Sequence, residues 1–88
     1  MTYVYDDDAH IDEKRGVVYC WLRNQSGDRV RVEATREFIA DNWKIPWSDK
    51  KGLINEFQKR KAQYLDRAWM APDDPGSRRD FRVYVIGQ

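Results

Sequence analysis

Apolar side chains recur from Leu53 to Trp69 with the spacing of a helix. Leu53, Ile54, Phe57, Tyr64, Leu65, Ala68 and Trp69 are separated by one, three, four or seven positions, which gathers them on one broad face. The pattern predicts a long helix over 48–70, with Ser48 as N-cap, a break at Pro46 before it, and Pro72 ending it by pushing Ala71 out of the α region. Such a helix is about 30 Å long, the width of a small domain. Glu56 and Arg60 form a favourable i, i+4 pair on its other face. Lys61 falls inside the apolar arc. Either its stem packs while its ammonium reaches solvent, or it is buried against a carboxylate.

Before this helix the period changes to two. Val17 to Arg23 reads as a strand, Asn24 to Asp28 as a turn in which Gly27 supplies positive φ, and Arg29 to Ala34 as a second, alternating strand. Together they predict a β-hairpin over 16–34. Its register decides which face is buried, because a one-residue slip inverts a strand. With a two- or four-residue loop, Trp21 lies opposite Val32 and Tyr19 opposite Ala34. Val17, Tyr19 and Trp21 then enter the core, and Val18, Cys20 and Leu22 lie beside Arg31 outside. With a three-residue loop the faces exchange and the aromatics are exposed. The first register buries more apolar area and is the one expected on that ground.

Thr35 caps a short helix expected over 35–44, with Phe38, Ile39 and Trp43 on its apolar side and an aromatic elbow, Trp43 to Trp47, after it. Residues 71–79, rich in Pro and Gly, read as a loop, and 80–86 as a last strand, with Phe81, Val83 and Val85 on one face and Arg82, Tyr84 and Ile86 on the other. At the other end, Thr2 to Tyr5 reads as a short strand and Asp6 to Glu13 as a solvated acidic loop, an N-terminal unit over 1–15. The expected fold is α+β: an antiparallel sheet of three or four strands with two helices on one face, in the order (β)ββααβ, within one domain of 88 residues.

Composition narrows function by exclusion. The net charge is +1, too balanced to imply nucleic acid or a membrane surface by itself. It is uneven, however: five of the 15 acids lie in residues 1–13 with no Lys or Arg, so the rest of the chain sets 16 basic side chains against 10 acidic ones. The lone Cys20 excludes an internal disulfide and fits a reducing cytoplasm. No apolar run spans a membrane, and the acidic start does not read as a signal peptide.

The hairpin and helices resemble a family of small bacterial domains of unknown function. The likeness lies in GVVYCW (16–21), the polar turn after it, RVRVEATREFIADNW (29–43) and FQKRKAQYLDRA (57–68). The loop before the last strand and the acidic N-terminus depart from the family's pattern. The resemblance implies the ββααβ fold and no activity.

Enzyme chemistry is largely absent from the residues. Counted from Asp6, the positions that an EF-hand fills with Gly and Glu are Ile11 and Val17. A loose cation site at Asp6, Asp8, His10 and Asp12 is set aside in favour of a solvated loop. One His and one Cys exclude a Cys₂His₂ zinc site within the chain. Cys20 and His10 as nucleophile and base are set aside because Cys20 lies mid-strand. The scattered glycines form no phosphate loop. No catalytic residue, metal or cofactor is therefore expected.

Two binding readings remain. Trp, Tyr and Arg are the residues enriched at protein interfaces, and Trp47 has only Gly52 at the position where a helix-entry staple would meet it. Trp47, Arg31, Arg82 and Tyr84, with Lys50 and Lys51 at the rim, are the expected contacts of a protein partner. The last strand is expected to leave an open edge. Small proteins of this kind serve as bacterial or phage-encoded regulators or inhibitors. The alternative is RNA or DNA, bound on a sheet face of Arg29, Arg31, Arg82 and Tyr84, with Lys59 to Lys61, Arg78 and Arg79 adding charge. Arg15 to Trp21 partly matches an RNA-binding strand, although Val17 and Val18 stand where aromatic and small residues belong.

Overall fold

The computed structural model describes residues 3–5, 8–25, 27–70 and 81–87. Asp6, Asp7, the expected loop with Pro72, Arg78 and Arg79, and Asp80 lie outside the described residues.

The fold is α+β. One sheet contains β1 (Tyr3–Tyr5), β2 (His10–Asp12), β3 (Val17–Asn24), β4 (Arg29–Thr35) and β5 (Arg82–Val85). β3 and β4 form the hairpin at its centre. β1 and β2 both pair antiparallel with the far edge of β3, β1 against Leu22–Asn24 and β2 against Val17–Tyr19. β5 lies on the other side of β4 and runs parallel to it. The sheet is therefore mixed and five-stranded, where an antiparallel sheet of three or four strands was expected. The chain leaves β4, passes through the helices and returns to the same end of the sheet, the crossover that a parallel pair needs. β2 is a second correction. It occupies part of the stretch expected as a solvated loop, because Ile11 is partly buried against the core and its strand pairs with the free edge of β3.

The hairpin takes the three-residue loop, not the favoured one. Trp21 lies opposite Arg31 and Tyr19 opposite Glu33. The turn fixes this register: Asn24 N donates to Asp28 O (3.2 Å), Gly27 N to Asn24 O (3.3 Å), and Asp28 N to the Asn24 side chain (3.0 Å), with Gly27 at φ +89°. Val18, Cys20, Leu22, Val30, Val32 and Ala34 consequently face the helices, all at 0% exposure. These aliphatic and thiol side chains bury no strong polar atom. Tyr19 and Trp21 lie on the opposite face, where guanidinium groups cover their rings. Apolar area alone chose the wrong face because it ignored what the rings pair with.

Against the aliphatic face pack two helical segments. The first begins with α1 (Arg36–Phe38), where Thr35 Oγ1 accepts from Phe38 N at 3.1 Å. It widens into a π turn, Ile39–Trp43, in which the Asn42 side chain donates to the Phe38 carbonyl. Lys44, at φ 59°, closes it with an N–H bond to Ile39 O of 3.0 Å.

The second segment, expected as one helix over 48–70, is α2 (Lys50–Arg60), a 3₁₀ turn (Lys61–Tyr64) and α3 (Leu65–Trp69). The Tyr5 hydroxyl donates to the Lys61 carbonyl, and Leu65 N–H bonds Ala62 O instead, so the tighter turn replaces the α bond there. The expected arc is otherwise kept: Leu53, Phe57 and Ala68 are buried, and Ile54, Tyr64, Leu65 and Trp69 pack partly buried against the core. The N-cap is Asp49, not Ser48, because a turn puts Asp49 N on Pro46 O and aims Asp49 Oδ1 at Gly52 N (3.0 Å). Gly52 permits this close approach: a Cβ there would lie 2.3 Å from Asp49 Oδ2. Lys61 is half-buried with its ammonium 5.2 Å from the centre of the Tyr5 ring, the packed-stem alternative. Among the described residues, no helix is long and apolar enough to cross a membrane.

Candidate functional site

Alternation along the strands puts one set of side chains on the sheet face opposite the helices. These are Val4 from β1, His10 and Asp12 from β2, Val17, Tyr19, Trp21 and Arg23 from β3, Arg29, Arg31 and Glu33 from β4, and Val83 and Val85 from β5, with Val17 buried at the end beside Asp12. Phe81 joins them just before β5.

Glu33 anchors this face. It is 1% exposed, yet it carries a charge. Arg15 reaches it from the β2–β3 turn with two hydrogen bonds, Nη1 to Oε2 at 2.6 Å and Nη2 to Oε1 at 3.0 Å. Arg31 Nε lies 2.7 Å from Glu33 Oε2 but out of line for a hydrogen bond, so charge alone holds that buried nitrogen. Arg31 Nη2 also reaches Asp12 Oδ2 at 3.3 Å. The backbone N–H of Arg15, ahead of the Arg31 guanidinium, holds the Asp12 carboxyl below the usual carboxylate range.

Arginines and rings interleave along the same face. The Arg31 guanidinium lies 3.8 Å from the centre of the Tyr19 ring, and that of Arg29 lies 4.8 Å from the Trp21 ring. Trp21 meets Phe81 edge to face at 4.7 Å, and His10 tilts against Tyr19 at 5.5 Å. The result is a row of half-buried aromatics braced by guanidinium groups.

The residues expected from the sequence do not form one site. Arg31 belongs to the open face. Arg82 and Tyr84 share the opposite parity and turn toward the helices, which corrects the expected face of Arg29, Arg31, Arg82 and Tyr84. Arg82 donates to Trp69 O (3.0 Å) with its guanidinium 5.1 Å over the Trp69 ring, and Tyr84 packs against the core. Trp47 and Lys50 do come together, in the elbow. The Trp47 ring centre is 4.3 Å from the Lys50 ammonium and 5.6 Å from the Arg36 guanidinium, and Lys50 also pairs with Glu13 at 3.1 Å. These contacts, with the Asp49 cap, offset the unfavourable lysine in the first turn. Lys51 is exposed on α2. Sequence reasoning missed Tyr19, Trp21, Arg29 and Phe81 as a cluster. The three-residue loop was the signal that would have found the first three.

Cys20 is buried on the helix side of the sheet, and His10 is exposed on the other. Among the described residues, no three His, Cys, Asp or Glu side chains gather as a metal site. Compared with family models, curated proteins and solved structures, the chain matches none.

Proposed function

We propose that this protein is a non-enzymatic binding domain that recognises another protein through the open sheet face, acting on it as a regulator or inhibitor does. The observation that carries the reading is the braced row Tyr19, Arg31, Trp21 and Arg29. Rings and guanidinium groups are already held in place by one another, so little side-chain freedom is lost on contact. The acids on this face are engaged in ion pairs with Arg15 and Arg31, which suits a structural role better than proton transfer.

The same face bears on the nucleic-acid alternative. A stacking platform needs open ring faces and a positive groove. Here guanidinium groups lie over Tyr19 and Trp21, and Asp12 and Glu33 stand among the strands. Both features favour a protein partner.

The test is affinity capture from nuclease-treated lysate of the source organism. Three baits are compared: the wild type, a Trp21→Ala/Arg29→Ala variant, and Lys51→Ala as a control away from the face. The reading expects one partner recovered by wild type and control, and reduced at least about tenfold by the face variant. Equal recovery by all three baits contradicts it. Retention on heparin that weakens steeply with salt, with no protein partner, would transfer the argument to nucleic acid.

A further inference from the structure

Residues 8–13 form a short strap along β3. Their backbone pairs with it through the three residues of β2, against the eight and seven residues of the hairpin strands β3 and β4. Side chains fasten the strap to both layers. On the open face, Asp12 Oδ2 is 3.3 Å from Arg31 Nη2, and the His10 ring tilts against Tyr19 at 5.5 Å. Toward α2, Asp8 Oδ1 accepts from Gln58 Nε2 at 3.0 Å, and Glu13 Oε1 is 3.1 Å from the Lys50 ammonium. Apolar burial adds Ala9 and part of Ile11. Both ends are tied down separately. Before the strap, β1 pairs with β3, and the Tyr5 hydroxyl donates to the Lys61 carbonyl. After it, Arg15 makes two bonds to buried Glu33, and Gly16 O accepts from Arg36 N at 2.9 Å.

We infer that residues 8–13 are an autoinhibitory clasp: they open as a unit between these two posts, and opening uncovers Tyr19 and Arg31 in the aromatic row. The consequence for recognition rests on the reading of the open face as a protein-binding surface; the opening itself does not. With Asp12 on its guanidinium and its side chain 14% exposed, Arg31 offers a partner little until Asp12 departs, and Glu33 still holds its Nε side afterwards. Contacts open to water keep the clasp shut. The bond between Asp8 and Gln58 is exposed, and the Lys50 and Glu13 side chains are 37% and 69% exposed. Solvent competes with such contacts, and salt screens the charged ones. The hairpin rests instead on Val18, Cys20, Leu22, Val30, Val32 and Ala34, all fully buried, and screening does not weaken apolar burial. Opening is therefore local, and it draws on the least stable part of the sheet. The acids of the strap are its latch.

Native-state hydrogen exchange of the full chain, labelled with ¹⁵N, tests the clasp without a partner. Protection of the slowest amides in His10–Asp12 is compared with that of Val30 and Val32 in β4. The comparison is made at low salt and in about 1 M sodium chloride, where the screening length is about 3 Å. Protection at residues 10–12 should fall at least about threefold in salt, while Val30 and Val32 keep theirs. The double substitution Asp12→Asn/Glu13→Gln should bring the same fall at low salt and abolish the salt response. In that variant, oxidative footprinting should label Tyr19 at least about twofold faster and leave Trp69 unchanged. If residues 10–12 exchange at the rate of Val32 under every condition, β2 opens only with the whole fold and the clasp is overturned. Exchange that ignores both salt and the substitutions overturns the ionic latch. Faster exchange with unchanged labelling of Tyr19 overturns the cover over the row. Should the variant lose protection in β4 as well, the salt response of the wild type decides alone. Each of these failures leaves the protein-binding reading standing, because the capture experiment decides that one independently.

Discussion

Glu33 has two guanidinium groups against one buried carboxylate, and that arrangement sets the cost of changing it. Glu33→Gln keeps the shape but removes the buried counter-charge from Arg15 and from the mostly buried Arg31, which keeps only Asp12. Breaking a buried pair in this way costs about 3 kcal/mol, so the midpoint of urea unfolding should fall accordingly. A loss under about 0.5 kcal/mol would show that the network is solvated and does not organise the face. Tyr5 makes a second residue-level claim. Burial, ahead of the nearby Cys20, Tyr64 and Tyr84, raises its phenol above the ordinary value. The unfolded chain releases this proton near pH ~10 while the folded chain keeps it. Above that pH the unfolded state binds fewer protons, so the stability from Tyr5 is complete below it and declines as pH rises toward the folded value. Tyr5→Phe should lack this alkaline decline and lose about 1 kcal/mol at neutral pH with its bond to the Lys61 carbonyl. Urea titrations of both proteins across the alkaline range check it. Parallel pH dependence would contradict it.

At the scale of elements, periodicity carried much of the fold and failed where long-range contacts decide. The apolar arc of α2 and α3 was legible because seven side chains repeat over several turns. The 3₁₀ turn inside it was not, since it depends on a hydroxyl from β1, 56 residues away. β2 was hidden because three residues in an acidic run show no alternation. Hairpin register turned on one residue of loop length and on cation–π pairing, and neither leaves a periodic trace. Arg31 was therefore found and its ring partners Tyr19 and Trp21 were assigned to the wrong face. The C-terminal end of β5 offers a local test of packing. Gly87 has φ +88°, and a Cβ there would lie 2.7 Å from a Phe38 ring carbon, whereas Gly27, at φ +89°, has open space. Both Gly→Ala changes strain the backbone, by about 1 kcal/mol each. Gly87→Ala should cost about 2 kcal/mol more, because it also displaces the Phe38 ring. Equal losses in thermal or urea unfolding would mean that Gly87 does not pack on α1.

On the scale of the whole molecule, helices cover one side of the sheet and the other side holds its arginines and aromatics in a fixed row. Aliphatic side chains of the sheet build the core together with Phe57 and Trp43 from the helices, and Tyr19, Trp21 and Phe81 lie on the other face, where another protein could reach them. Oxidative side-chain footprinting of the protein, alone and bound to its captured partner, tests this division most directly. The account predicts that binding protects Tyr19, Trp21 and Phe81 and leaves Trp47 and Trp69 unchanged. Unchanged oxidation of Tyr19 and Trp21, with protection at Trp47 or Trp69 instead, would contradict it and move the recognition surface to the helical side.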